Sequence, residues 1–156
     1  MQLSKNLSLL EVTNSQTAKR LGIDNKPTSE HIESLKLLAE NIFQPIRNHF
    51  GKPIWVSSGY RSAALNKAIK GSKTSQHCKG EAIDIDMDGK NSPSNSEIFY
   101  YIKDNLHFDQ LIWEFGTSED PDWVHVSFSS LGDQRGQILQ AKRNSAGKTF
   151  YSPYTN

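Results

Sequence analysis

Between Ser75 and Asp86 the chain reads Ser-Gln-His-Cys-Lys-Gly-Glu-Ala-Ile-Asp-Ile-Asp, which sets an imidazole and a carboxylate seven residues apart around a glycine. Gly80 permits a sharp bend after His77, and Asp84 lies inside the apolar run Ala82-Ile83-Asp84-Ile85. A carboxylate in such a strand is costly to bury unless a partner meets it. The fold must therefore aim His77 and Asp84 at one point, and a bound metal ion would explain that convergence.

The flanking chain reads as alternating helices and strands. Leu9, Leu10, Val12, Ala18, Leu21 and Ile23 recur loosely at helical spacing, which predicts a short helix and loop ending at Gly22. With Thr28 or Ser29 as N-cap, Ile32, Leu35, Leu38, Ala39, Ile42, Phe43 and Ile46 trace one apolar helix stripe toward Phe50. Pro45 falls inside that helix and calls for a kink or a restart. Ile54 to Ser58 and Glu81 to Met87 read as strands, Ala63 to Ile69 as a helix capped by Ser62, and Glu97 to Leu106 as a helix capped by Ser96. Asp109 to Phe115 and Trp123 to Phe128 form the arms of a hairpin. A last short strand is expected near Gln137 to Ala141, followed by a loosely held tail.

Length and charge narrow the possibilities. A chain of 156 residues can bury a core as one domain spanning 1–156. Lys and Arg number 18 against 17 Asp and Glu, so charge supplies no argument for nucleic acid or an anionic membrane. One cysteine, Cys78, forms no internal disulfide, and no apolar run reaches membrane-spanning length. The expectation is a soluble monomer without membrane insertion or a visible export signal.

His125 completes the constellation. In Trp123-Val124-His125-Val126-Ser127-Phe128 the period of two puts Trp123, His125 and Ser127 on one strand face. Two imidazoles and one carboxylate, His77, His125 and Asp84, match the three protein ligands of a catalytic zinc site with one open position. The competing reading is a hydrogen-bonded polar cluster without metal.

Ser75-x-His77-x-x-Gly80-x-Ala82-x-Asp84, preceded by Ser58-Gly59-Tyr60-Arg61-Ser62 and followed by Trp123-x-His125, resembles the zinc D-Ala-D-Ala carboxypeptidases and related phage L-Ala-D-Glu endolysins. The likeness spans roughly Ile54 to Phe128. It implies an α+β fold with a central antiparallel sheet flanked by helices, one Zn2+ held by His77, Asp84 and His125, and peptidoglycan stem peptides as substrate. It also implies that Arg61 binds substrate, including a terminal carboxylate, and that Ser75 donates to substrate or to a neighbouring ligand. A guanidinium fork suits the first role, because it meets a carboxylate in two parallel hydrogen bonds. A phage or prophage lysin, cytoplasmic until released to the cell wall, is the expected setting.

Two acids compete as the catalytic base. Asp122 stands three residues before His125, the family position for the acid, although that acid is commonly Glu. Glu114 is the hairpin alternative, expected across from His125. Asp122 is favoured on family position. Cys78, next to His77, should face away from the metal; Asp86 shares the strand face of Asp84 and is expected to orient a ligand or Arg61; Trp123 is expected at the cleft. The alternative function is a zinc-containing, non-catalytic wall-binding or tail-associated module, with a Cys78 thiol hydrolase as the third.

Overall fold

The computed structural model describes residues 1–155, and its N-terminal segment departs from the expected helix and loop. Strands β1 (Gln2–Ser4) and β2 (Leu7–Ser8) form a small hairpin that buries Leu3 and Leu7. Two helices follow, α1 (Leu9–Thr13) and α2 (Gln16–Leu21). They stay separate because each has its own serine cap: Ser8 Oγ accepts from the Glu11 N–H and Ser15 Oγ from the Ala18 N–H. A serine inside the periodic pattern offers the backbone an alternative to helix, and here the alternative wins.

The long apolar stripe is helical from end to end, in three registers. Helix α3 (Ser29–Leu38), capped by Thr28, passes into a π-helical turn over Ala39–Phe43 and then into α4 (Gln44–Phe50). Pro45 has no N–H to give the carbonyl four residues back. The wider turn absorbs the fault, with the Gln44 N–H donating to the Ala39 carbonyl. Leu35, Leu38, Ala39, Ile42, Phe43 and Ile46 are buried along this stretch, so the stripe survives the change of register.

Strand β3 (Val56–Ser58) leads through helix α5 (Ala63–Ala68) and a 3-10 turn (Gln76–Lys79) into β4 (Ala82–Ile85). Helix α6 (Asn95–Asn105) starts earlier than its sequence suggests, because Ser94 and not Ser96 is the cap, in a reciprocal box with Glu97. Strands β5 (Gln110–Glu114) and β6 (Trp123–Ser127) make the expected hairpin. The tail is ordered as two further strands, β7 (Gln137–Arg143) and β8 (Thr149–Pro153). Tyr154 anchors the end by donating its N–H to the Ile138 carbonyl and packing its ring 4.8 Å from Phe99.

Six strands form one sheet in the order β3-β4-β6-β5-β7-β8. It is mixed, not antiparallel throughout, because β7 runs parallel to β5. Asp109 sets that pairing. Its carboxylate accepts from the Arg135 backbone N–H at 3.0 Å and from the Arg135 guanidinium at 2.8 Å, and its carbonyl accepts from the Gln137 N–H. The returning chain is thus pinned at the start of β5 and must run alongside it.

The sheet has two unlike faces. Ile83, Ile85, Leu111, Trp113, Val124 and Val126 point under α3, α4 and α6 and form the core with their apolar residues. Asp84, Ile112, Glu114, Trp123, His125 and Leu139 point the other way, onto the floor of an open cleft of about 1400 Å³. Among the described residues no helix is long and apolar enough to cross a membrane.

Candidate metal centre

The 3-10 turn exists to present His77. Ser75 Oγ accepts the His77 N–H at 3.2 Å, and Gly80, at φ +73, closes the turn. The Gly59 carbonyl, 2.7 Å from His77 Nδ1, can only accept, so Nδ1 carries the ring proton and Nε2 carries a lone pair. That lone pair points to Asp84 Oδ1 at 3.3 Å. A backbone carbonyl orienting one ring nitrogen while the other faces a carboxylate is the arrangement metal-binding histidines use.

Asp84 and His125 are brought together by sheet register, since the two residues are direct partners across β4 and β6. Asp84 Oδ1 lies 3.0 Å from His125 Nδ1, and one donor atom from each of His77, Asp84 and His125 falls within 4.8 Å of the others. Burial works against charge on the Asp84 carboxyl, but when a proton occupies His77 Nε2 in place of a metal ion, the charge of that ring and the hydrogen bonds from both imidazoles hold the carboxyl well below the usual carboxylate range. Where the Nε2 lone pair of His77 faces a carboxylate oxygen, the two repel unless a cation or a proton stands between them. The donor set fits a divalent metal by its chemistry as well as by its spacing.

The other expected site residues divide. Arg61 is at the centre: Nη2 lies 3.4 Å from Asp84 Oδ2, Nε donates to Ser58 Oγ, and its backbone N–H donates to the His77 carbonyl. Ser75 lines the same cleft while capping the turn of His77. Glu114 is also there, though not directly across from His125. Its register partner is Trp123, and His125 pairs with Ile112, so Glu114 sits diagonally from His125 on the same face. Glu114 is buried, and burial pushes its carboxyl up to about 7, with the charges of His125, Asp84 and Arg61 acting around it.

Asp122 is elsewhere. It lies just before β6 and is exposed, its N–H donating to the Glu114 carbonyl and its own carbonyl accepting from Asn95 Nδ2. An offset of three along an extended chain reverses the face, and Asp122 is not among the residues that line the cleft. Asp86 is also displaced from its expected task. It falls beyond the end of β4 and accepts from the Asp88 N–H, stabilising a turn. Trp123 lines the cleft, whereas Cys78 lies outside it with its thiol pushed up by burial, which leaves the thiol-hydrolase reading unsupported.

Sequence reasoning missed the far wall. Leu139, Arg143, Thr149 and Tyr151, all from β7 and β8, line the cleft beyond Glu114. The signal was present in Thr149-Phe150-Tyr151, a β-prone run hidden in a polar tail. No curated protein matches the chain. The family model described as Peptidase M15 matches residues 5–127, and the chain, with its His-Asp-His group positioned to bind a metal, belongs to that peptidase family.

Proposed function

We propose that this protein is a zinc-dependent peptidase that cuts the peptide part of bacterial cell wall, with His77, Asp84 and His125 holding the metal. The observation that carries this reading is the meeting of two imidazoles and a carboxylate beside a second, buried carboxyl, Glu114, in an open cleft. Zinc held there supplies Lewis acidity toward a peptide carbonyl and makes an acidified water available near neutral pH.

The protein's own residues do the rest. Glu114 accepts a proton from the attacking water and returns it to the leaving amine, a task suited to an acid with a value near 7. Arg61 holds a carboxylate of the substrate next to the scissile bond, and Ser75 keeps the turn of His77 in place with its hydroxyl hydrogen free to donate. The cleft extends from Glu30 and His31 on one side to Thr149 and Tyr151 on the other. Room for peptide on both sides of the metal centre favours internal cleavage of the L-Ala-D-Glu type over removal of a terminal D-Ala. A non-catalytic wall-binding module is the weaker reading, because Glu114 is buried at a cost that binding alone does not require. A lysin held in the cytoplasm until its release to the wall is the setting this function implies.

The test is digestion of purified peptidoglycan by the zinc-loaded protein, with products assigned by mass spectrometry and a chelated sample alongside. New amino termini at an L-Ala-D-Glu junction, absent after chelation, are the expected result. Stoichiometric zinc with no new termini would leave a binding module.

A further inference from the structure

Three arginines line the cleft, and two are already engaged by carboxylates. Arg61 pairs with Asp84 and Arg135 with Asp109. Arg143, near the end of β7, has no carboxylate of a described residue within ion-pair distance. Its guanidinium lies instead 3.9 Å over the ring of Phe115, whose other neighbour is the Trp123 ring at 5.4 Å. Phe115 takes φ +56, a left-handed conformation that a bulky side chain rarely adopts, and with it the ring lies between Trp123 and Arg143. The result is a shelf at the cleft rim with a cation on top and its hydrogen-bonding edge uncommitted.

Register places that shelf relative to the metal centre. His125, Ile112 and Leu139 form one row across β6, β5 and β7; Trp123, Glu114, Ala141 and Tyr151 form the next, continuing onto β8; Arg143 and Thr149 form the third. Strands lie about 4.8 Å apart and residues rise about 3.3 Å, so the Arg143 backbone is roughly 16 Å from that of His125. The Arg143 side chain leans over Phe115, which shortens the span to roughly 10 to 16 Å, three to five residues of extended peptide. The wall lies within residues 128–155, beyond the matched family region that ends at 127.

We propose that Arg143 is a substrate-specificity residue that receives a free carboxylate three to five residues from the scissile bond. The class of substrate is then a peptide with an unlinked acidic terminus or branch, as opposed to one whose carboxylate is amidated or cross-linked. This rests on the peptidase reading for the bond that is cut, and Arg61, beside the metal centre, serves a different carboxylate. A guanidinium resting over an aromatic ring is held in place with its N–H groups left to bind an anion, so little conformational freedom is lost when one arrives.

The experiment uses the zinc-loaded protein and two five-residue stem peptides, one ending in a free carboxylate and one in its amide. Each is made both cleavable and with a reduced, uncleavable scissile bond, and affinities of the uncleavable pair are measured by calorimetry. Wild type should bind the acid about three- to tenfold more tightly than the amide, the size of an exposed charge-assisted pair. Arg143→Gln should bring that ratio close to one and Arg143→Lys should keep part of it. Lys142→Gln removes the same charge from the opposite face of the strand, outside the cleft, and should keep the full ratio. A ratio untouched by Arg143→Gln, or lost equally in Lys142→Gln, overturns the proposal. The cleavable pair separates it from the reading beneath it: cleavage without a binding preference removes the subsite alone, a preference without cleavage removes the peptidase alone, and absence of both removes the two together.

Discussion

Glu114, at the end of β5, and Asp122, just before β6, are joined backbone to backbone, yet only Glu114 lines the cleft of the candidate metal centre. Glu114→Gln is accordingly expected to lower kcat by about 10²- to 10⁴-fold with zinc content unchanged, whereas Asp122→Asn should stay within a few fold of wild type. Steady-state kinetics with elemental analysis checks both, and the reverse ranking would move the base to Asp122. The same carboxyl leaves a trace in stability. Its value is about 7 in the folded protein against 4.5 unfolded, so the fold holds that proton more tightly than the open chain does. In chelated protein this contribution is complete below pH 4.5 and is lost as pH rises through 7, up to about 3 kcal/mol. Asp84 has the opposite sign, its contribution lost only in acid below this window. Urea titrations between these limits should show the decline in wild type and a flatter profile in Glu114→Gln. Activity should climb with pH at or below 7, since a cation nearby draws the carboxyl down.

Among the elements, the 3-10 turn of Gln76–Lys79 most directly controls the site. Gly80 closes it at φ +73, and a Cβ there would run into the His31 carbonyl of α3. Gly80→Ala thus combines left-handed strain with a backbone collision and should cost about 1 to 3 kcal/mol while weakening zinc affinity through His77. Gly89 has the same φ with nothing within 4 Å, so Gly89→Ala should cost about 1 kcal/mol and leave zinc affinity alone. Denaturation and competitive zinc titration on the pair separate strain from ligand placement. At this scale the sequence was a good guide to the apolar stripe of Ile32 to Ile46, because burial repeats with the helix. It was a poor guide to the breaks, since the separate caps at Ser8 and Ser15 and the π turn before Pro45 are local contests that periodicity does not record.

For the whole molecule, the three candidate metal ligands come from a turn and two strands, so an ion bound by them would tie those elements together in the folded state only. Zinc at about 100 times its dissociation constant should add about 2.7 kcal/mol, raising Tm by roughly 5 to 10 °C for a domain of this size. His125→Ala should abolish the rise, and scanning fluorimetry with and without chelator reads it. A rise that persists in His125→Ala would place the ion elsewhere. The sheet that carries the ligands also carries the far wall, through the Asp109–Arg135 clamp that starts β7 beside β5. Residues 129–156 gave only a short strand near Gln137 to Ala141 and the faint signal of Thr149-Phe150-Tyr151, because the apolar anchors of that wall are few and its order comes from strand pairing.

Residue type and spacing along the chain were enough to single out His77, Asp84 and His125 and to select a family, because metal ligation demands particular donors and glycine is needed where the turn closes. Which acid faces the His-Asp-His group, which strand lies parallel and what lines the far side of the cleft belong to the tertiary structure. These depend on register and on the face each side chain takes, and a one-residue offset reverses a face without changing the composition.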